Sequence, residues 1–360
     1  MTTSIQIRDT VASTLPSTQS LVSSWPYQVL AKHGLDFSED LKICDQRINS
    51  SMGQAPEAAA MLKLACGGKR MRPLMMLLGC AAVTKDTGLV GMAAASLEML
   101  HMASLIHDDV LDGASLRRGS ATLHTTLGVG VAITLGDYLM LAAGATMLGE
   151  CGDLDQVELS RLMQAHAILL KKGQECCRGQ VSELQAQAGM TVEECIEMMR
   201  NKTGSLFSAA CEMGAVLGGA DQAQRQAAAA YGNAFGLAFQ IYDDLLDLLS
   251  SSGDAHKSTG ETCTLGRPLL PAILLSPKRK TELCHMLADG HQSGDVLALL
   301  HEEGVVAAIM AQLEWAIQGA LHALEALPAT AARAVFKDYV LHARFACQVL
   351  CKVPRRHSVS

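Results

Sequence analysis

Aromatic side chains are scarce in this 360-residue chain: Phe, Trp and Tyr together make up 4% of it. Strands draw on aromatic and β-branched residues, so the shortage argues against a β-rich architecture. Apolar/polar alternation with a period of two is missing as well. Ala, Leu and Met dominate instead, and hydrophobic residues reach 49%. That composition favours helices and is enough for an ample core.

A basic surplus is also absent. The formal net charge is −7, which argues against a nucleic-acid binder, because such proteins carry a basic face. The 12 cysteines form no Cys-x-x-Cys pair and keep no regular spacing. Only Cys176 and Cys177 are adjacent, and neighbours on a helix point in different directions. The cysteines read as small buried side chains of a reducing compartment, with no support for a disulfide framework or a zinc site. No transmembrane span is expected. The uncharged stretch 10–31 is broken by Pro16 and Pro26, and the stretch 119–136 by Ser, His, Thr and several glycines. No charged segment leads into an apolar core at the N-terminus, so a secretory signal is not expected either. Residues 1–25 read as a disordered leader, Ser- and Thr-rich but too poor in Arg to be more than a weak transit-peptide pattern. One cytoplasmic domain is expected over residues 26–352, with a tail over 353–360.

Periodicity and punctuation predict helices over 26–50, 56–66, 74–83, 91–112, 129–149 and 154–187. The next helix opens on the capping box Thr191-Val-Glu-Glu194 and runs through Lys202-Thr-Gly204. Further helices are expected over 223–250, 269–275, 279–289, about 294–325 with a break near Gly304, and 329–352. Residues 119–126 and 251–268 read as loops, and Gly67-Gly-Lys-Arg-Met-Arg-Pro73 as a glycine hinge. Nothing resembles a linker. One all-α domain is the simplest account.

Two aspartate clusters stand out: Asp108-Asp-Val-Leu-Asp112 and Asp243-Asp-Leu-Leu-Asp247. With Asp near 6% of residues, two such patterns arise by chance in roughly a few chains per thousand. Both lie in apolar helical sequence, where a solvated acidic face does not belong. On a helix the first and last aspartate of each cluster share a face. Carboxylates so placed need compensation by positive charge. Oxygen donors at i,i+4 suit magnesium, which takes one or two carboxylates together with substrate phosphates. A di-iron centre would need Glu-x-x-His pairs, and none accompanies the clusters. Basic residues interrupt the apolar helices at few places: Lys69, Arg70 and Arg72, Arg117 and Arg118, Lys202, and Lys257. Each alone is as well explained by a solvated surface. Together, beside two magnesium clusters, they read as two polyanion sites.

In these elements the chain resembles the trans-isoprenyl diphosphate (polyprenyl) synthases. The matching pieces are Gly67-Gly-Lys-Arg-Met-Arg-Pro73, Asp108 to Asp112 with Arg117-Arg118-Gly119, Gly136-Asp137, Gly179-Gln180, Lys202-Thr203, and Phe239-Gln240-Ile-Tyr-Asp243-Asp-Leu-Leu-Asp247. They occur in the family's order and spacing across roughly residues 26–350. The resemblance implies an antiparallel helix bundle around a deep central cavity, the isoprenoid synthase fold, usually as a homodimer. It implies about three Mg²⁺ per active site, held by Asp108, Asp112 and Asp243, with Asp109 and Asp247 in the same clusters. Asp108, Asp112, Asp243 and Lys202 would be the catalytic group. Arg117, Lys202, Thr203, Gln240 and Lys257 would contact an allylic diphosphate. Lys69, Arg72, His101 and Arg118 would hold isopentenyl diphosphate. A lone histidine on an apolar helix is usually a satisfied core residue, but His101 stands two turns before Asp108 on the same face, at the family's ligand position.

The segment after the second cluster departs from the family pattern. It carries His256-Lys257, Thr262-Cys263, Gly266-Arg267 and Leu269-Leu270-Pro271, so Thr262 replaces an aspartate and Arg267 a lysine. Two other readings share the motifs: a non-catalytic subunit of a heteromeric synthase and a class I terpene cyclase. Such subunits typically lose aspartates from one or both clusters, and a cyclase needs no isopentenyl site. Both clusters and Lys69, Arg72 and His101 are present here. Ala103 and Ser104, five and four positions before Asp108, are small where family members that stop early tend to carry bulky aromatics. One helical turn of about 5.4 Å matches about one isoprene unit, so a product of C20 or longer is expected. A product of that length is expected to bring loose membrane association.

Overall fold

The computed structural model describes residues 25–52, 57, 61, 68–149, 154–186, 189–249, 268–291 and 293–351. Its contacts group into two compact units, neither a continuous stretch of chain. One comprises Met1–Lys171, Ala209–Ala229 and Ala326–Phe336; the other comprises Lys172–Ser208, Ala230–Glu325 and Lys337–Ser360.

In the first unit α1 (Trp25–Lys32) and α2 (Ser38–Met52) replace the single helix expected over 26–50. The break falls at Gly34, whose φ is +70°, and Asp36 then accepts a bond from the Ser38 amide at 2.9 Å. The helix expected over 56–66 lies mostly outside the described residues. Next come α3 (Met71–Ala81) and α4 (Val90–Leu111). Both are buried almost all round, because their sequences are apolar on every face. A hairpin of β1 (Leu116–Arg117) antiparallel to β2 (Ser120–Ala121) runs into the expected loop over 119–126, and the short α5 (Leu123–Leu127) fills most of the rest. Arg118 and Gly119 form its two-residue turn with φ of +51° and +77°, the left-handed pair that suits tight hairpins.

α6 (Val129–Leu148) packs along α4. His107 of α4 lies against Gly136, where a β-carbon would come 2.2 Å from the imidazole Nε2. The other face of α6 is bare: Val129, Val131, Ile133, Met140 and Leu141 are exposed, Leu141 by 77%. Among the described residues α6 is long and apolar enough to cross a membrane, a test that the core helix of a soluble protein also passes; residues 119–136 overlap only its first turns. Its single charge is Asp137. α7 (Gln156–Leu184) follows, and its His166 ring meets Gly144 of α6.

In the second unit α8 (Val192–Met199) starts at the expected capping box: the Thr191 hydroxyl accepts from the Glu194 amide, and the Glu194 carboxylate accepts from the Thr191 amide. Arg200–Gly204 then forms a π-helical turn leading into α9 (Ser205–Leu217), and α10 (Gln222–Leu249) carries the second aspartate cluster. α9 and α10 contribute residues to both units. Phe207 meets Phe235 edge-on with ring centroids 5.2 Å apart, and Phe239 lies 5.6 Å from Phe207. Phe207, Tyr231, Phe235 and Phe239 thus form an aromatic cluster where α9 meets α10. α11 (Leu270–Ile273), α12 (Pro277–Ala288), α13 (Ser293–Glu302), α14 (Val305–Ala323) and α15 (Ala331–Leu350) complete the chain. Among the described residues the only strands are β1 and β2. Thr191→Ala removes an N-cap acceptor and should lower the unfolding free energy by about 1 kcal/mol, measurable by urea titration.

Candidate active site

The first cluster closes α4. Asp108 and Asp109 lie in its last turn, and the Asp112 amide bonds back to the Asp108 carbonyl at 2.8 Å. Asp108 and Asp112 are half-buried, whereas Asp109 is 2% exposed. Arg117 Nε donates to Asp109 Oδ1 at 2.7 Å. Burial pushes the Asp109 carboxyl up and the Arg117 charge pulls it back. One Asp109 oxygen is therefore occupied by an arginine, and the carboxylate ties the hairpin to the end of α4.

The second cluster repeats the division within its own unit. Asp243 and Asp247 are half-buried and Asp244 is 6% exposed. The Gln240 amide donates to Asp244 Oδ1 at 2.8 Å and the Leu270 amide to Oδ2 at 3.3 Å. Burial pushes the Asp244 carboxyl up to about 7 against these two bonds. Thr203 donates its hydroxyl to Gln240 Oε1 at 2.6 Å. Thr203, Gln240 and Asp244 therefore form one hydrogen-bonded chain from the π turn to α10.

Lys202 sits in that π turn and pairs with Glu183 of α7, which also accepts from Gln180 at 2.9 Å. The turn runs close to α7: a β-carbon at Gly179 would lie 2.2 Å from the Lys202 amide nitrogen. Only glycine permits that approach. π turns recur at functional positions because they re-aim one side chain within a helix.

Around His101 the first unit gathers the other basic residues. Lys69 is exposed and Arg72 half-buried just before and within the first turn of α3. Burial, then the charges of Arg72, Arg118, Arg117 and Arg70, hold the His101 imidazole well below its ordinary pKa. It is neutral, and its buried Nδ1 has no hydrogen-bond partner. A cluster of like charges around a neutral ring is the electrostatic imprint of an anion site. Among the described residues, the only non-glycine residues with positive φ are Arg70 and Arg118, both at 51°. Arg70 is 3% exposed and bonded to Asp45 and Glu98.

Of the expected site residues, Lys257 lies outside the described residues, together with His256, Thr262 and Arg267. Asp45, Glu98 and Glu183 were not foreseen. Glu98 carried a signal, as the one formally charged residue between Val90 and His107. Ala103 is fully buried, while Ser104 is half-buried with its hydroxyl donated to the His101 carbonyl at 2.7 Å.

A divalent cation fits these donors by chemistry. Each cluster offers two half-buried carboxylates on one helical face, the one or two that magnesium accepts alongside phosphate oxygens. Among the described residues no group of three or more His, Cys, Asp or Glu side chains converges on metal-binding geometry.

The polyprenyl synthetase family model matches residues 56–302. A short chain isoprenyl diphosphate synthase of Methanothermobacter thermautotrophicus is 33% identical over 70% of this chain and 78% of that protein. Heptaprenyl diphosphate synthase component 2 of Geobacillus stearothermophilus is 30% identical over 85% of this chain and 95% of its own length. Among solved structures, polyprenyl synthase from Caulobacter crescentus, complexed with calcium and isoprenyl diphosphate, superposes with a TM-score of 0.74 at 27% identity, over 92% of this chain and 99% of that one. The fold is the all-α isoprenoid synthase fold, and the class of activity is trans-prenyl transfer. The chain belongs to the polyprenyl synthetase family.

Gly179→Ala drives a methyl group into the Lys202 backbone. It should lower stability by about 1–3 kcal/mol and move Lys202, seen as a lower urea midpoint with a reduced turnover number in the folded fraction.

Proposed function

We propose that the chain condenses isopentenyl diphosphate with an allylic diphosphate (dimethylallyl, geranyl, farnesyl or geranylgeranyl), giving a trans-polyprenyl diphosphate of C20 or longer. The observation that carries this reading is the cluster of arginines around a neutral, unpartnered His101, two turns before Asp108 on one helix. A site that only ionised an allylic diphosphate would not need it.

In this reading Asp108 and Asp112, with Asp243 and Asp247, would hold Mg²⁺ together with the allylic diphosphate; the calcium and isoprenyl diphosphate bound by the Caulobacter crescentus protein support a divalent cation. When bound, the metal draws charge from the departing diphosphate so that its C–O bond ionises. Arg117, Lys202 and Lys257 offset the same charge, and Thr203 and Gln240 orient it. Lys69, Arg72, His101 and Arg118 hold isopentenyl diphosphate so that its double bond attacks the allylic carbon and a proton is then lost. Asp109 acts through Arg117, which donates to its Oδ1, while its Oδ2 is buried without a hydrogen-bond partner. The apolar wall of α4 keeps water from the cation.

In this reading Ser104 is the first of the two small side chains that the growing product meets. It is half-buried, with its hydroxyl already satisfied by backbone, whereas Ala103 is packed on all sides. Incubation of the purified protein with Mg²⁺, labelled isopentenyl diphosphate and farnesyl diphosphate, followed by chromatography of the dephosphorylated products, should show C20 or longer chains. No elongation would sink the reading. Ser104→Phe should shorten the product without abolishing turnover; Ala103→Phe should do the same with a lower melting temperature.

The bare apolar face of α6 supports a homodimer, since an exposed patch of this kind marks an interface. The relative named as component 2 of heptaprenyl diphosphate synthase favours a second reading, in which that face meets a different subunit. Sedimentation of the protein alone separates the two, a dimer supporting the first and a monomer the second. In a dimer, Leu141→Lys should weaken self-association by about a hundredfold, or roughly 3 kcal/mol.

A further inference from the structure

Arg70 is a cation that diphosphate recognition leaves unused. Its guanidinium is spent on protein carboxylates: one terminal nitrogen lies 2.8 Å from Asp45 Oδ1, Nε donates to the same oxygen at 2.9 Å, and the other terminal nitrogen lies 3.3 Å from Glu98 Oε1. Asp45 belongs to α2 and Glu98 to α4, so one side chain joins two helices to the residue that caps α3. Glu98 stands one turn before His101 on α4, and Arg70 stands between Lys69 and Arg72 in sequence. The backbone at Arg70 is left-handed, which a non-glycine residue adopts only when its surroundings enforce it. A third contact comes from α1, where Tyr27 donates its hydroxyl to the Lys69 carbonyl at 3.2 Å.

We infer that Arg70, clamped by Asp45 and Glu98, is the positioning residue of the isopentenyl diphosphate site, holding Lys69 and Arg72 at a fixed distance from His101. The inference rests on the assignment of that diphosphate to Lys69, Arg72 and His101. A buried ion pair is a poor source of stability, because desolvation offsets the attraction. What it does supply is a unique geometry, since a buried guanidinium has few other places to put its donors. Without Arg70 the turn carrying Lys69 and Arg72 loses its tie to α4, and Glu98 is left charged and unmatched beside His101. The aspartate clusters contribute nothing to this clamp, so the allylic substrate should be insensitive to it.

The test measures KM separately for isopentenyl diphosphate and farnesyl diphosphate in full-length Arg70→Met, Glu98→Gln and Asp45→Asn, each with its melting temperature. KM for isopentenyl diphosphate should rise about tenfold or more in the first two and less in Asp45→Asn, while KM for farnesyl diphosphate stays within about twofold. Asp45→Asn, at the partly exposed end of the clamp, carries the test if Arg70→Met fails to fold. A lowered melting temperature with both KM values unchanged, or an equal rise in both, would overturn the inference by reducing Arg70 to a structural part. Lys69→Ala and Arg72→Ala are the controls for the underlying assignment. If they leave KM for isopentenyl diphosphate unchanged, the site assignment itself fails. If they raise it and none of the clamp variants does, only the role of Arg70 fails.

Discussion

A carboxylate withdrawn from water must find a partner, and both aspartate clusters are arranged around that constraint. In each, the second aspartate is the buried one, Asp109 against Arg117 and Asp244 against Gln240 and the Leu270 amide. The first and last aspartates stay half-buried on a common helical face. The motif thus divides into an outer, half-buried pair and a central anchor that fastens another piece of chain. Asp109 fastens the hairpin that carries Arg117 and Arg118. Asp244 fastens the start of α11 and, through Gln240, the hydroxyl of Thr203 in the π turn.

This division was not readable from spacing alone, because the three aspartates of a cluster look equivalent until burial is known. The helices themselves were legible: apolar periodicity over long segments located α4, α6, α7, α10 and α15 within a few residues, and the Thr191 capping box held in detail. What escaped were features without a periodic signal. The break at Gly34 interrupts a pattern that otherwise continues. The hairpin at Leu116–Ala121 is too short for alternation to register. The π turn at Lys202 depends on Gly179, about twenty positions upstream, admitting its backbone. Partner carboxylates were equally hidden. Asp45 and Glu98 lie 25 and 28 positions from Arg70, and only the isolation of Glu98 in an uncharged helix marked it.

The left-handed backbone at Arg70 and Arg118 follows the same logic. At the hairpin turn Asn or Gly would be the undemanding choice before Gly119, and at the start of α3 a glycine would relieve the strain. Arginine stands at both places. Strain of about 1–3 kcal/mol per such residue persists only where the surroundings over-determine the conformation. At Arg70 two carboxylates do so. At Arg118 the two-residue β-ladder leaves the chain no other way to turn. Both arginines contribute to the field that keeps His101 neutral, so the two strained positions act on one imidazole.

α6 lies between the helix that carries His101 and the outer surface. Its inner face receives His107, whose Nε2 lies 3.2 Å from the Ile133 carbonyl and 3.3 Å from the Asp137 carboxylate. Its outer face is bare and apolar. α4 and α6 are packed too closely at Gly136 to move independently, because any shift of one drives the imidazole into the backbone of the other. Close-packed interiors transmit displacement instead of absorbing it. A displacement of α6 is therefore passed to the helix that carries His101, Ser104 and Asp108.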